Sequence, residues 1–173
     1  MAFEGTMTKE EIKTLQKASD YTDTKPGSQL PSSSNEHGMA IPGQSKSEAE
    51  QGTNEFIESK NNAYIESGDL KTFGEGGHAI MDKTSPSHEN YQVWNGTNGL
   101  KNKVNGILHF VKELNLFRLN DDKVKQAAQD YKSNYDKVQT TRNQRADQQA
   151  NDRVNNGSGM GGMEQYKEDK IIE

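Results

Sequence analysis

The sequence predicts a mainly α protein with extensive irregular or extended segments. It should hold a helical hairpin, one or two isolated helices and long arms, with no large single core. Composition is the first reason. Leu, Ile, Val and Phe account for 27 of the 173 residues, about 16% against the roughly 20% below which disorder becomes the better expectation. Mean hydropathy is -1.10, and ordering each residue costs ~1–2 kcal/mol of backbone entropy that few apolar side chains can offset. The second reason is a pair of apolar stripes at helical spacing after Leu100. The third is the run of Gly, Pro and Ser that separates the periodic segments.

Residues 1–46 read as a polar N-terminal arm with a short helix. Thr8-Lys9-Glu10-Glu11 matches a capping box, so the helix should run from Thr8 to about Ala18, with Ile12 and Leu15 as a thin apolar face. From Ser19 to Ser45 the chain carries Pro26-Gly27, Pro31, three successive serines and Pro42-Gly43, which predicts a linker or arm.

Residues 47–67 read as an amphipathic helix. Capping-box matches at Ser45–Glu48 and Ser47–Glu50 open it, and Phe56/Ile57 and Tyr64/Ile65 fall on one side. Gly68 should end it. Residues 68–99 are expected to be irregular, because Gly74, Gly76, Gly77, Pro86, Gly96 and Gly99 interrupt them. Within that segment Tyr91–Gly96 is a short β-capable run.

Residues 100–155 carry the strongest pattern. Leu100, Val104, Ile107, Val111 and Leu114 recur at 4-3-4-3 spacing, and so do Val124, Ala128, Tyr131, Tyr135 and Val138. Asn120-Asp121-Asp122 between them supplies N-cap chemistry. Facing stripes on either side of a short connection define an antiparallel helical hairpin with a polar extension. Residues 156–173 complete the chain as a flexible charged tail.

No cysteine is present, which removes disulfides and thiolate chemistry. The amino-terminal residues show no basic stretch followed by an apolar run, so no classical signal peptide is expected. Ile107–Leu119 is too short and too charged for a membrane span. Basic side chains outnumber acidic ones only in 100–155, which leaves nucleic acid as a weakly supported partner.

Gly157, Gly159 and Gly162 match G-x-G-x-x-G literally, but no strand precedes them and no apolar helix follows, so they read as a linker. His78, Asp82, His88 and Glu89 have ligand chemistry, yet in a Gly-rich irregular segment their spacing matches no helical His pair or EF-hand. Asp121 and Asp122 read as helix N-terminal charges, and no G-x-S-x-G elbow occurs. No enzymatic activity, catalytic residue, cofactor or metal site is therefore expected.

The residues expected to matter are the hairpin stripes and a set of candidate interface anchors: Phe56, Ile57, Tyr64, Tyr91, Trp94, Leu116 and Phe117. Large apolar side chains in polar surroundings are the usual anchors of interfaces. The expected role is a non-enzymatic structural or assembly protein docking on other proteins of a large complex, including its own copies. A bacteriophage virion component (capsid, tail, ejected or scaffolding protein) fits best, in the virion or the cytoplasm. A single-partner regulator or delivered effector and a hydrophilin-like stress-protective protein are the alternatives.

Overall fold

The computed structural model describes residues 3, 5–85, 88–96 and 121–158. The chain is mainly helical, and among the described residues no strand forms. α1 (Lys9–Thr24) opens with the expected capping box, in which Thr8 Oγ1 accepts from the Glu11 amide and the Glu11 carboxylate accepts from the Thr8 amide. α1 runs past Ala18 because one face of its second half is buried. Ala18 and Thr22 are fully enclosed, and that packing outweighs the weak helix propensity of Ser19-Asp20-Tyr21-Thr22.

Residues 19–45 are a correction to the expected linker. A 3₁₀ helix spans Pro31–His37, with proline in its first turn and Gly38 at φ 62° as its left-handed cap. A Cβ on Gly38 would sit 2.9 Å from Lys83 Cβ, so only glycine lets this cap lie against the end of the third helix. The segment is then fastened by a lone parallel bridge between Ala40 and Val93.

α2 (Lys46–Ser67) starts from the Ser45–Glu48 capping box and ends at Gly68 in the left-handed conformation. α3 (Leu70–Asp82) follows almost at once, N-capped by Asp69. This corrects the irregular reading of 68–99 over Leu70–Asp82; among the described residues, 83–96 form no helix or named strand. Glycine costs a helix ~1 kcal/mol per residue relative to alanine, and here close packing offsets that cost. A Cβ on Gly74 would meet Ala18 Cβ at 2.6 Å, and one on Gly77 would meet the Tyr131 ring at 2.0 Å. The glycines let neighbouring helices lie directly on the α3 backbone, so α3 becomes the central helix.

α4 (Asp121–Ser158) carries the second expected stripe. Tyr135 and Val138 are buried, with Ala127, while Val124, Ala128 and Tyr131 are half-buried. From Arg142 to Asn156 the helix is exposed, with Val154 66% accessible. The partner stripe of the expected hairpin (Leu100, Val104, Ile107, Val111, Leu114), the anchors Leu116 and Phe117, and residues 159–173 lie outside the described residues. Within them, the α4 stripe packs on the other helices.

That packing forms the main core, which joins Phe3, Leu15, Tyr64, Phe73, Tyr135 and Val138, with Tyr131 against it. Phe73 is fully buried and lies 5.4 Å from both the Tyr131 and Tyr135 ring centroids. Aromatic pairs of this geometry add ~0.5–1.5 kcal/mol each beyond burial, which is how a chain poor in aliphatics holds α4 to α3. A smaller cluster of Ile57, Ala79 and Ile80 fills the α2–α3 contact. Among the described residues no helix is long and apolar enough to cross a membrane.

Candidate metal centre

At its carboxyl-terminal end α3 presents His78 and Asp82, one helical turn apart, to the same side. The final turn of α1 contributes Asp23, and the last residue of the 3₁₀ helix contributes His37. One ligand atom from each gathers into a single cluster. His78 Nε2 lies 3.0 Å from His37 Nδ1, 2.9 Å from Asp82 Oδ2 and 3.4 Å from Asp23 Oδ1. His37 Nδ1 lies 3.3 Å from Asp82 Oδ2 and 3.6 Å from Asp23 Oδ1. Donors placed tetrahedrally at ~2.0–2.1 Å around a cation are about 3.3 Å apart; these five distances bracket that value, and all four ligand atoms lie within 4.8 Å of one another.

The four groups are coupled electrostatically as well. The side chains of His78 and His37 are 5% and 9% exposed, whereas Asp23 is 53% exposed. Burial alone would raise the Asp82 carboxyl, but the His78 charge and hydrogen bonds from both histidines prevail and hold it far below the carboxylate range. Burial would lower His78, and the Asp82 charge with its hydrogen bond overrides that and raises it. Asp23 is raised, chiefly by partial burial, despite the neighbouring His78. Two buried imidazole nitrogens only 3.0 Å apart can be satisfied by one shared proton or by one shared cation.

Surrounding side chains orient the donors. Ser19 Oγ lies 2.9 Å from His78 Nδ1, so an Nδ1–H donating to it leaves the Nε2 lone pair facing the cluster, the arrangement ligating histidines use. His88 Nδ1 is 3.2 Å from the Asp82 carbonyl oxygen and 2.8 Å from Ser85 Oγ, and 3.8 Å from Asp82 Oδ2. It braces the turn that ends α3.

Of the histidine and acidic residues weighed from sequence, the structure brings His78 and Asp82 together. It sets His88 beside them and pairs the exposed Glu89 with Lys123 at 3.2 Å. Asp23 and His37 escaped sequence reading altogether. The legible signal was His78-x-x-x-Asp82, which becomes one helical face only once 70–82 is known to be a helix.

The candidate interface anchors fall elsewhere. Ile57 and Tyr64 are buried in the core, and Phe56 and Tyr91 are half-buried. Trp94 is 8% exposed, and its indole donates to the Gln29 carbonyl oxygen. The fold itself consumes Ile57, Tyr64 and Trp94, so these side chains are not free anchors. No family model matches the chain, and comparison with curated proteins and with solved structures finds no significant similarity.

Proposed function

We propose that this protein binds one divalent transition-metal ion through Asp23, His37, His78 and Asp82. The observation that carries this reading is the convergence of two imidazole nitrogens and two carboxylate oxygens from three separate elements to within 4.8 Å of one another. Nitrogen and oxygen donors together suit zinc and its neighbours, whereas magnesium and calcium prefer oxygen alone. Four protein donors complete a tetrahedral shell, the closed coordination of sites that serve structure, whereas catalytic centres keep one position open for water. Asp23, more than half exposed, is the most accessible of the four donors. His78 and Asp82 are the fixed donors, held by the helix that the other helices pack on.

The test is zinc titration of the metal-stripped full chain, read by calorimetry and by elemental analysis of the loaded protein. One zinc per chain with sub-micromolar affinity, lost in a His78→Ala/Asp82→Ala variant that keeps its circular dichroism, supports the reading. Affinity no different between the two proteins overturns it.

A second reading keeps the assembly role in which the protein docks on other proteins. It rests on the far part of α4, where residues 142–156 are exposed throughout. Shortening that stretch would abolish association with a docking partner without disturbing the core; unchanged association removes the reading.

A further inference from the structure

A cavity of about 220 Å³ lies between α1, α3 and α4, with Phe3 closing one side. Ile12, Leu15, Met81, Phe3 and the backbones of Gly74 and Gly77 make its wall apolar. Polar character enters through Gln16, Ser19 and His78, and at Tyr131. The cavity's volume exceeds the ~150 Å³ that holds one benzene ring, so it has room for a ring with a short substituent.

Tyr131 distinguishes the cavity from a packing flaw. Its hydroxyl oxygen is buried and has no hydrogen-bond partner among the described residues. Burial pushes the phenol well above its ordinary range, so it stays a neutral O–H donor. The ring is fixed on both sides, 5.1 Å from Phe3 and 5.4 Å from Phe73. Its hydroxyl rests against Gly77, itself a wall residue. Buried donors are nearly always paired, and this one is held in place beside an apolar space.

We propose that this cavity binds a small apolar molecule, an aromatic ring or short alkyl chain, carrying one hydrogen-bond acceptor that Tyr131 Oη–H engages. The apolar walls take the ring or chain, and the carbonyl or ether oxygen takes the phenolic proton. The site borders the metal centre, sharing Ser19 and His78 with it, but it engages its ligand through Tyr131 and the apolar walls, and its test does not depend on metal binding.

The probes are acetophenone and ethylbenzene, near-isosteres that differ in one carbonyl oxygen, titrated into the full chain and into Tyr131→Phe. Methyl resonances of Ile12, Leu15 and Met81 report occupancy. Tyr131→Phe removes only the unpaired hydroxyl, so it should fold, with a melting temperature no lower than that of the parent. The expected result is that acetophenone binds the parent about fivefold more tightly than ethylbenzene, as one neutral hydrogen bond provides, and that Tyr131→Phe abolishes the preference. Absence of methyl shifts with both probes at millimolar concentration overturns the site. Equal affinity of the two probes for the parent overturns the role of Tyr131.

Discussion

Replacing Gly77 with alanine tests the packing that centres the fold on α3. On helix propensity alone the change should stabilise, by ~1 kcal/mol. The structure reverses the sign. The new Cβ would fall 2.0, 2.2 and 2.3 Å from Cζ, Cε2 and Oη of Tyr131, whereas carbon atoms settle at about 3.5–4.0 Å. The ring must therefore retreat by roughly 1.5 Å, and it cannot swing aside cheaply because Phe3 and Phe73 hold it on both sides. Overpacking of this kind costs about 1–3 kcal/mol, with loosened aromatic pairs toward the upper end. Net of the propensity gain, Gly77→Ala should destabilise by about 1–2 kcal/mol. Urea unfolding followed by far-ultraviolet circular dichroism should show a lower midpoint at unchanged slope. A midpoint equal to or above that of the parent would mean that Tyr131 does not sit on Gly77, and that the contact joining α4 to α3 is wrong.

Gly52→Ala, also within a helix, should behave oppositely. Its Cβ would meet only the end of the Asn35 side chain, at 2.7 Å, which can rotate away, so a gain of up to ~1 kcal/mol is expected in the same assay. Ser19→Ala removes the group that orients His78 and should weaken zinc binding about 10- to 100-fold, measured by competition with a chelator of known affinity. The capping boxes set an acid limit. Backbone and side-chain hydrogen bonds from Thr8 lower Glu11, and those of Ser45, side chain first, lower Glu48, both from the ordinary 4.5. Carboxylates depressed in the folded state stabilise it above pH 4.5, and that contribution fades as pH falls through their lowered values. Protection of the Thr8 and Ser45 amides, taken as the exchange rate relative to the intrinsic rate at each pH from 6 to 3, should fall only below about 4.5.

How much of this was legible depended on where the stabilising interactions lie along the chain. Caps are local: Thr8 with Glu11 and Ser45 with Glu48 announce the starts of α1 and α2 because donor and acceptor sit three residues apart. The stripe from Val124 to Val138 was legible for the same reason, since periodicity is a local property. α3 was hidden because its glycines have meaning only through partners elsewhere in sequence, Ala18 on α1 and Tyr131 on α4. Trp94 read as a free anchor because its acceptor, the Gln29 carbonyl oxygen, is 65 positions away. The metal centre compounds both difficulties. His78 and Asp82 become one face only if α3 exists, and Asp23 and His37 come from turn-rich chain that carries no ligand pattern.

The order in which these donors follow one another has a kinetic consequence. His37 and His78 are 41 residues apart, while His78 and Asp82 are neighbours on one turn and Asp23 precedes His37 by a single short loop. An unfolded chain can bring the near pairs together at small entropic cost, but closing the long loop costs more. An ion shared by all four donors therefore rewards only the docked state of α1, the 3₁₀ helix and α3. It would act as a latch closed last, lengthening the lifetime of the folded protein while leaving the speed of its formation almost unchanged.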